Sequence, residues 1–291
     1  MTFKNIYSTN PFVLSFELFP PKTDKGMDNL IENVRQLLKF DPHFITCTYG
    51  AGGSTRDKTL DTLAHVQALT DIPVASHLTC VNATVDDLKS YLERAAAQGI
   101  ENIVAIRGDA PEGEDQFQTT DGGLSYGEDL VKVIRSEYPN FGIAVGGYPE
   151  THPEAESPEA DLQHLKEKVE SGADVIITQL FYNNDDFLRF RERCTSVGID
   201  VPIVPGLLPV TNFKQVKRIT SLCGAELPKD FLNALENSGD DTEAQFKIGV
   251  EQATQQAADL IEHGVPGIHF YVLNQSRATS EVLSALDFPH T

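Results

Sequence analysis

The chain has 291 residues, 40% of them hydrophobic and 23% charged, and its formal net charge is -20 at pH 7. Without a basic stripe, so acidic a chain would repel nucleic acid and anionic membranes, so neither is predicted as a partner. The four cysteines are widely spaced and form no C-x-x-C pair, so neither a zinc framework nor a disulfide scaffold is suggested and a reduced cytoplasm is favoured. The N-terminus does not resemble a signal peptide, and no window of about 18 apolar residues occurs, so a cytoplasmic protein is predicted.

Short apolar runs alternate with longer helical patterns along the chain. The predicted strands are 12 to 19, 44 to 49, 73 to 80, 102 to 108, 141 to 148, 174 to 181, 201 to 207 and 268 to 273. The predicted helices between them are 27 to 39, 55 to 70, 84 to 98, 126 to 137, 158 to 171 and 183 to 196, with cap residues such as Ser54, Asn82 and Ser157. Eight strand-and-helix repeats favour an α/β fold of the (β/α)8 TIM-barrel type.

The segment before the last predicted strand is too long for one helix. Helical patterns cover 212 to 222, 228 to 236 and 243 to 263, so extra helices are expected there. No linker or change in composition divides the chain, and residues 1 to 291 are predicted to form one domain. The rival fold is a doubly wound open sheet, which would usually bring a G-x-G-x-x-G turn after its first strand; this chain has none there.

Side chains alternate between the two faces of a strand, so spacing predicts which residues point into the barrel. In the first strand Ser15 and Glu17 share the inward face, and in the fourth strand the same reasoning turns Ala105 and Arg107 inward. Each inward set becomes polar toward the carboxyl end of its strand, where active sites of this fold lie. The residues predicted to ring one cavity are Glu17, Thr48, His77, Arg107, Asp109, Tyr148, Gln179 and Tyr271.

Glu17 lies among apolar neighbours in the stretch SFELFPPKT, and two outcomes are open for its ionisation. Burial would disfavour the carboxylate and raise its pKa toward the range of a general acid. An ion pair with Arg107 or Lys22 would lower that pKa instead. Polar groups at a barrel mouth can also simply satisfy one another, but a set that converges from seven strands favours a functional site.

Further motifs follow the strand ends in order. They are SFELFPPKT at 15 to 23, TYGAGGSTRD at 48 to 57, HLTC at 77 to 80, RGD at 107 to 109, YPETHPEA at 148 to 155, DVIITQLFY at 174 to 182, PGLLPVTNF at 205 to 213 and HFYVLN at 269 to 274. Together they closely resemble the methylenetetrahydrofolate reductase family and cover nearly the whole chain. Eukaryotic relatives carry an added C-terminal regulatory domain, so the chain resembles the short bacterial type, with the catalytic barrel only.

The resemblance implies that FAD lies noncovalently across the barrel mouth. NADH or NADPH, with NADH favoured, would reduce it, and 5,10-methylenetetrahydrofolate would become 5-methyltetrahydrofolate, which supplies methyl groups for methionine synthesis. It implies that Glu17 is the general acid that opens the folate imidazolidine ring to a 5-iminium cation. Asp109 would stabilise that cation and tune the flavin potential. These two are the predicted catalytic residues.

Residue-by-residue matching also implies the ligand contacts. The predicted FAD and nicotinamide contacts are Thr48, Tyr49, Ala51, His77, Arg107, Gly108, Asp109, Gly127, Tyr148, His152, Ala155, Asp161, His164 and Lys168. Of these, Thr48 would lie beside the nicotinamide, and His77, Arg107 and Lys168 would face the pyrophosphate. The predicted substrate contacts are Gln179, Gln215, Tyr271 and Gln275. No metal site is predicted, because no second histidine lies at ligand spacing from His77.

The chain departs from the family pattern at some ligand positions. Gln275 stands where many relatives have Arg, so the contact to the folate tail is predicted to be weaker or to come from Arg277. His164 stands where Asn is common and Glu167 where relatives can have a basic residue, which leaves the adenosine end of the FAD site open. Ile219 stands where some relatives place Phe against folate or nicotinamide, so apolar contact is expected without stacking.

Two other functions remain as alternatives. A different flavin barrel, such as a proline-dehydrogenase-like enzyme, would also show Arg and Tyr at its strand ends. A barrel that binds folate or a nucleotide without chemistry would be colourless and could not be reconstituted with FAD. The presence of Glu17 favours the reductase, whose partners would be its small-molecule substrates and further copies of the chain in a homo-oligomer.

Overall fold

The structure, a computed structural model, describes residues 1 to 49, 56 to 110 and 117 to 286. Within these ranges the strands form one parallel sheet. They are β1 (Val13–Leu18), β2 (Phe44–Cys47), β3 (Val74–Thr79), β4 (Asn102–Ile106), β5 (Gly142–Gly147), β6 (Val175–Thr178), β7 (Ile203–Val204), β8 (Gly206–Leu207) and β9 (Gly267–Tyr271). Their spatial order is β7-β6-β5-β4-β3-β2-β1-β9-β8. Because Pro205 alone joins β7 to β8, the two ends of this order meet and the sheet closes into the predicted TIM barrel.

The seventh predicted strand, 201 to 207, is two short strands. Residues of β7 pair with β6, whereas residues of β8 pair with β9 on the other side. Pro205 has no N–H to donate to a ladder, although its carbonyl accepts a hydrogen bond from the backbone N–H of His269 at 3.0 Å. The prediction of eight barrel positions is therefore confirmed, but one position is broken by proline.

Helices surround the barrel and fill the segment before the last strand. They are α1 (Phe3–Thr9), α2 (Asp24–Leu37), α3 (Arg56–Gln67), α4 (Val85–Ala97), α5 (Gly127–Glu137), α6 (Pro158–Glu170), α7 (Asn184–Ser196), α8 (Phe213–Cys223), α9 (Lys229–Asn237), α10 (Thr242–Glu262) and α11 (Arg277–Ser284). The extra helices predicted before the last strand are α8, α9 and α10. Among the described residues, no helix combines the length and the hydropathy that a bilayer crossing requires.

The predicted helix caps have mixed outcomes. Ser157 caps α6, accepting a hydrogen bond from the N–H of Ala160 at 3.1 Å. The cap of α4 is Thr84 and not Asn82, whose φ of 51° places it in a left-handed turn. Ser54 lies outside the described residues. Asparagine tolerates the left-handed region better than most residues, which explains why Asn82 marks the turn before the helix.

Helix α1, which was not predicted, closes the amino-terminal end of the barrel. Its residues Phe3 and Ile6 pack into a cluster of inward-facing strand residues that includes Val13 and Phe44. The Asn102 side chain accepts a hydrogen bond from the backbone N–H of Phe3 at 2.7 Å, which ties α1 to the start of β4. The barrel is therefore plugged below, and its open end lies at the carboxyl ends of the strands.

The predicted strand faces hold for most of the barrel but fail at β4. Val13, Ala75 and Ala144 belong to the inner cluster, as the alternation predicts. In β4, however, Val104 belongs to the inner cluster and Ala105 packs outward against the helices. The expected facing of Ala105 depends on alternation that extends to Arg107, but β4 ends at Ile106 and the chain turns at Gly108, with φ of 88°. A residue beyond the strand end does not report the strand's facing.

Candidate active site

Glu17 points into the open end of the barrel, as its position in β1 predicts, and it is 7% exposed. Its Oε2 lies 3.3 Å from Nε2 of His77 on β3 and 3.5 Å from Nε2 of His269 on β9. The second ring nitrogen of His269, Nδ1, is 2.8 Å from Oγ of Ser15, one inward position below Glu17. The carboxylate of β1 is thus held between two imidazoles, one from the adjacent strand β9 and one from β3, which lies beyond β2 on the other side.

These imidazoles decide the ionisation of Glu17. Burial raises the pKa of the Glu17 carboxyl, but the facing side chains of His77 and His269 lower it by more, to about 2. The expectation of a raised pKa is therefore wrong. The alternative of a lowered pKa holds, but its cause is the two facing imidazoles and not the predicted Arg107, which pairs with Glu154 at 2.7 Å instead.

Sequence reasoning missed His269, although a signal was available. His269 lies two residues before Tyr271, so both side chains share the inward face of β9. Its ring stands edge-on to Tyr271, with centroids 5.4 Å apart, and the residue is fully buried. A buried histidine at an inward position beside a predicted acid is a candidate site residue by the same alternation that selected Glu17.

A second group of site residues surrounds the buried amine of Lys168 on α6. Its Nζ donates a hydrogen bond to the carbonyl oxygen of Gly146 on β5 at 2.7 Å. Burial lowers the pKa of Lys168 to about 8, and the charge of Arg107 acts in the same direction while Asp161 opposes it. A Cβ added at Gly127 would lie 3.4 Å from the backbone nitrogen of Arg107 and 3.8 Å from Cδ of Lys168. Three predicted FAD contacts, from the residue after β4, from α5 and from α6, therefore converge.

The loop between β5 and α6 brings further predicted contacts to this place. The rings of Tyr148 and His152 meet edge to face, with centroids 4.5 Å apart. Asp161 accepts a hydrogen bond from the N–H of His152 at 3.0 Å, and the N–H of Ala155 donates to the carbonyl of His152 at 2.9 Å. Burial, with a contribution from the charge of Asp109, raises the pKa of Tyr148. Asp109 is exposed, and its charge acts on this group of residues.

The predicted adenosine end carries an aromatic residue that sequence reasoning missed. The ring of Tyr126 stacks on His164, with centroids 6.3 Å apart and planes 12° apart. Tyr126 is 60% exposed, and Glu167 lies 3.5 Å from Nδ1 of His164. Tyr126 immediately precedes the predicted contact Gly127, so adjacency was the available signal. An exposed tyrosine paired with an imidazole offers a flat surface to a planar ligand.

Tyr49 and Ala51, the two predicted FAD contacts that follow β2, are not placed as side-chain contacts at the barrel mouth. The ring of Tyr49 packs against Tyr91 in the layer between strands and helices, with centroids 5.8 Å apart. A contact from Tyr49 to FAD would therefore come from its main chain. Ala51 lies outside the described residues.

The residues present fit FAD on three observations. The buried Oγ1 of Thr48 has no hydrogen-bond partner within the described part of the chain, which leaves a polar atom for a ligand to satisfy. No atom of the described residues lies within 4 Å of a Cβ added at Gly146, so they leave space above β5. Lys168 and Arg107 supply cations suited to a pyrophosphate.

Within the described ranges, no three His, Cys, Asp or Glu side chains are grouped to hold a metal ion.

The predicted substrate contacts lie on the other side of the mouth. Gln215 of α8, Tyr271 and Gln275 line one small recess with Leu208 and Leu273. The hydroxyl of Tyr271 donates to the carbonyl of Thr178 at 2.6 Å.

Gln179 and Arg277 differ in how free they are to bind a ligand. Gln179 is half-buried, and its side-chain oxygen accepts from the N–H of Leu180 at 2.8 Å, which leaves its amide N–H groups for a ligand. Arg277, the alternative contact for the folate tail, is already paired with Glu243 at 2.8 Å and stacked on Phe246. Gln275 is exposed and lines the recess, so it is better placed than Arg277 for the tail.

Gly206 is expected to be intolerant of a side chain because Tyr271 lies directly over it. A Cβ there would collide with the carbonyl oxygen of Thr178 and would lie 2.7 Å from the Tyr271 ring. We expect Gly206→Ala to lose roughly 2 kcal/mol of unfolding free energy, the usual scale of overpacking, measured by chemical denaturation. The matched control is Gly146→Ala, whose added Cβ meets no atom within 4 Å in the part of the chain that the structure describes, and it should change stability by less than about 0.5 kcal/mol. Equal losses in both variants would contradict the packing argument.

Glu150, in the loop after β5, should make the stability of the fold depend on pH near neutrality. Burial and the charges of Asp186 and Glu226 raise its pKa to about 7, although its carboxylate accepts from the N–H of Glu226 at 2.8 Å. A raised acid pKa contributes stability that is present below the unfolded pKa and is lost as pH rises through 7.

We therefore expect Glu150→Gln to match the parent at pH 5 and to melt a few degrees higher at pH 8, roughly 1 kcal/mol after allowing for solvent screening of a half-exposed group. Differential scanning calorimetry at both pH values measures this. Glu156→Gln, exposed in the same loop, is the control and should show no such difference. A stability gain for Glu150→Gln at pH 5 as large as at pH 8 would contradict the assignment.

A family model described as methylenetetrahydrofolate reductase matches residues 2–287 of the chain. The chain belongs to the methylenetetrahydrofolate reductase family. It is 38% identical to the 5,10-methylenetetrahydrofolate reductase of Escherichia coli (strain K12), covering 94% of this chain and 90% of that protein. It is 40% identical to methylenetetrahydrofolate reductase (NADH) 1 of Arabidopsis thaliana, covering 97% of this chain and 50% of that protein. The chain thus spans about half the length of the plant relatives and most of the bacterial one.

One solved structure shares the fold of this chain. It is a Clostridium thermocellum protein that binds two copies of 5-methyl-5,6,7,8-tetrahydrofolic acid. The TM-score is 0.68 at 16% identity, and the match covers 98% of this chain and 97% of that one. At this identity the likeness supports the barrel architecture and nothing finer.

Proposed function

We propose that this protein reduces 5,10-methylenetetrahydrofolate to 5-methyltetrahydrofolate with NADH, using noncovalently bound FAD. Family membership supports the reaction, and the name of the Arabidopsis relative supports NADH as the reductant. The structural observation that carries the proposal is the Glu17 carboxyl held between His77 and His269 inside an open barrel mouth. Methyl supply for methionine synthesis, a cytoplasmic location and a homo-oligomeric state are proposed on family resemblance and composition alone.

The chain's own residues would hold the flavin along one side of the mouth. Lys168, Arg107 and His77 would face the pyrophosphate, and Tyr148 with His152 would border the ring system. When bound, FAD would accept hydride from NADH and pass it to the folate. Arg107 must leave Glu154 to make its contact, and that exchange of one anionic partner for another keeps the guanidinium paired.

Glu17 can supply a proton only if it holds one when the folate is bound. Opening the imidazolidine ring needs a proton at the nitrogen that leaves, but the ligand-free carboxyl is ionised because two imidazoles face it. His77 is also a proposed FAD contact. If it turns to the flavin, Glu17 keeps one imidazole and its burial, and burial then raises its pKa toward the range of an acid. His269, tied to Ser15, would remain as the group that passes a proton to the carboxyl.

Asp109 and Gln179 would complete the chemistry on the substrate side. A carboxylate near the pterin stabilises a developing cation without reorganisation. The amide of Gln179 can donate to folate and to nicotinamide in turn, since the two substrates take turns at one face. Among the described residues, no contact favours a proline-dehydrogenase-like reaction over this one.

The test is a steady-state assay on FAD-loaded protein. We expect NADH oxidation that depends on methylenetetrahydrofolate, with 5-methyltetrahydrofolate identified by mass spectrometry. Flavin-loaded protein that oxidises proline but leaves the folate unchanged would replace the proposal with the rival flavin barrel. Protein that binds folate but cannot be loaded with FAD would leave only the binding function.

A further inference from the structure

An asparagine side chain extends the pairing of the first and last strands beyond the point where the sheet ends. The β1–β9 ladder runs to the pair Glu17 and Tyr271. Two residues after Glu17, the N–H of Phe19 donates to Oδ1 of Asn274 at 2.8 Å, and the carbonyl of Phe19 accepts from Nδ2 of Asn274 at 2.7 Å. The amide therefore satisfies both backbone groups of Phe19, as a neighbouring strand would.

The backbone around Asn274 is strained in a way that serves this contact. Leu273 and Asn274 have φ values of 48° and 58°, and both lie in the left-handed region that a leucine rarely adopts. Such strain persists where surrounding contacts over-determine it, often at functional sites. The turn carries the Asn274 side chain across to β1, while Leu273 and Gln275 line the substrate recess.

The Phe19 segment is held from both sides. On the β2 side, the N–H of Thr48 donates to the carbonyl of Leu18 at 2.8 Å. On the β9 side, Asn274 holds Phe19, and the following Pro20 restricts Phe19 to extended conformations. The chain that leaves Glu17 thus continues straight out of the barrel for two residues, with the Phe19 ring 39% exposed at the rim.

We propose that Asn274 is a positioning residue for Glu17. By clamping Phe19, it fixes the register of the β1 end against β9, and so sets how far the Glu17 carboxyl stands from His269 and from a substrate above it. It acts through the backbone and touches no reacting atom. The inference rests on the proposed function, because the cost of misplacing Glu17 appears in the folate step.

The same loop carries a second asparagine contact that serves as an internal control. The Oδ1 of Asn33 on α2 accepts from the N–H of Ser276 at 2.7 Å and from its hydroxyl at 2.9 Å. Asn33 holds the loop after β9 to the outer helix layer, whereas Asn274 holds it to β1. Loss of either Asn33 or Asn274 should loosen the loop after β9. Misplacing Glu17 should follow only from loss of Asn274.

The experiment compares Asn274→Ala, Asn274→Gly and Asn33→Ala as FAD-loaded proteins. Glycine accepts the left-handed backbone without strain, so it removes the amide alone and remains informative if the alanine variant folds poorly. Three quantities are measured anaerobically: FAD affinity, the rate of flavin reduction by NADH, and the maximal rate of reoxidation by methylenetetrahydrofolate across pH.

Both Asn274 variants should lose roughly 10-fold to 100-fold in maximal reoxidation rate, the scale of a misplaced catalytic group. Their pH profile for that step should shift, while FAD affinity, NADH reduction and the folate concentration for half-maximal rate stay within about twofold. Asn33→Ala should stay within about twofold throughout.

An unchanged reoxidation rate in Asn274→Gly, or an equal loss in Asn33→Ala, would overturn the positioning role while leaving the proposed function intact. A parent protein that is not reoxidised by the folate at all would overturn the proposed function and the inference with it.

Discussion

Glu17→Gln should bind FAD and be reduced by NADH at nearly the parent rate, yet reduce methylenetetrahydrofolate at least about 100-fold more slowly. The amide keeps the shape of the side chain between His77 and His269 but has no proton to give to the leaving ring nitrogen. NADH oxidation with an artificial acceptor measures the first half-reaction, and anaerobic reoxidation by the folate measures the second. The expected result is a loss confined to the second.

Controls separate this role from a structural one. Glu170→Gln, on the exposed face of α6, should leave both half-reactions unchanged. Because the folded pKa of Glu17 is lowered to about 2, the carboxylate contributes stability above its ordinary pKa that is lost as pH falls toward 2. Glu17→Gln should accordingly be less stable than the parent at pH 7, and the comparison of half-reactions is made on FAD-loaded protein well below its melting temperature. Equal losses in the two half-reactions would remove the assigned role.

Lys168→Met should weaken FAD binding by roughly 10-fold to 100-fold, the range for a charge-assisted hydrogen bond of about 1.5–3 kcal/mol. The same change should not destabilise the ligand-free protein. Burial lowers the pKa of Lys168 to about 8. The free energy of unfolding therefore decreases as pH falls through 8, because the buried amine must then carry a charge. Methionine has no charge, so the variant avoids this loss. Fluorescence titration of FAD and thermal melting of the ligand-free protein should therefore move in opposite directions.

The pH dependence of FAD affinity provides an independent check on Lys168. A pyrophosphate anion favours the ammonium form, so binding takes up a proton near pH 8 and affinity falls as pH rises beyond 8. Lys168→Met should lack this dependence. The matched control is Lys166→Met on the same helix, whose amine lies 3.6 Å from Glu170 at the surface. If Lys166→Met weakened FAD binding as much as Lys168→Met, a general loss of positive charge would explain both.

The spacing of apolar runs was enough to predict the barrel, because each strand and helix repeats one local pattern. Extra helices before the last strand also followed from local patterns, since the segment before it is too long for one helix. Helix α1 was missed because it has only Phe3 and Ile6 as buried residues, too few for a periodic signal. The sequence shows a proline at position 205. It does not show that the partner strand changes there from β6 to β9, because that change depends on where the barrel closes.

The candidate site was predictable where strand alternation applies and not where distant residues meet. Alternation turned Glu17 and His77 inward correctly, whereas Arg107 lies past the end of β4 and gave a wrong facing for Ala105. The ionisation of Glu17 depends on His269, which stands almost at the other end of the chain and is adjacent only after β9 pairs with β1. This pairing exists only in the closed barrel. The sequence therefore allowed both a raised and a lowered pKa for the Glu17 carboxyl, and it could not decide between them.

Anaerobic flavin spectroscopy tests the central claim most directly, namely that one barrel mouth passes reducing equivalents from NADH to a folate beside Glu17. FAD-loaded protein should lose its visible flavin absorbance on addition of NADH, because reduction changes the flavin itself. The absorbance should return when methylenetetrahydrofolate is added, with 5-methyltetrahydrofolate formed in proportion to the flavin reoxidised. Flavin that NADH bleaches but the folate does not restore would contradict the account.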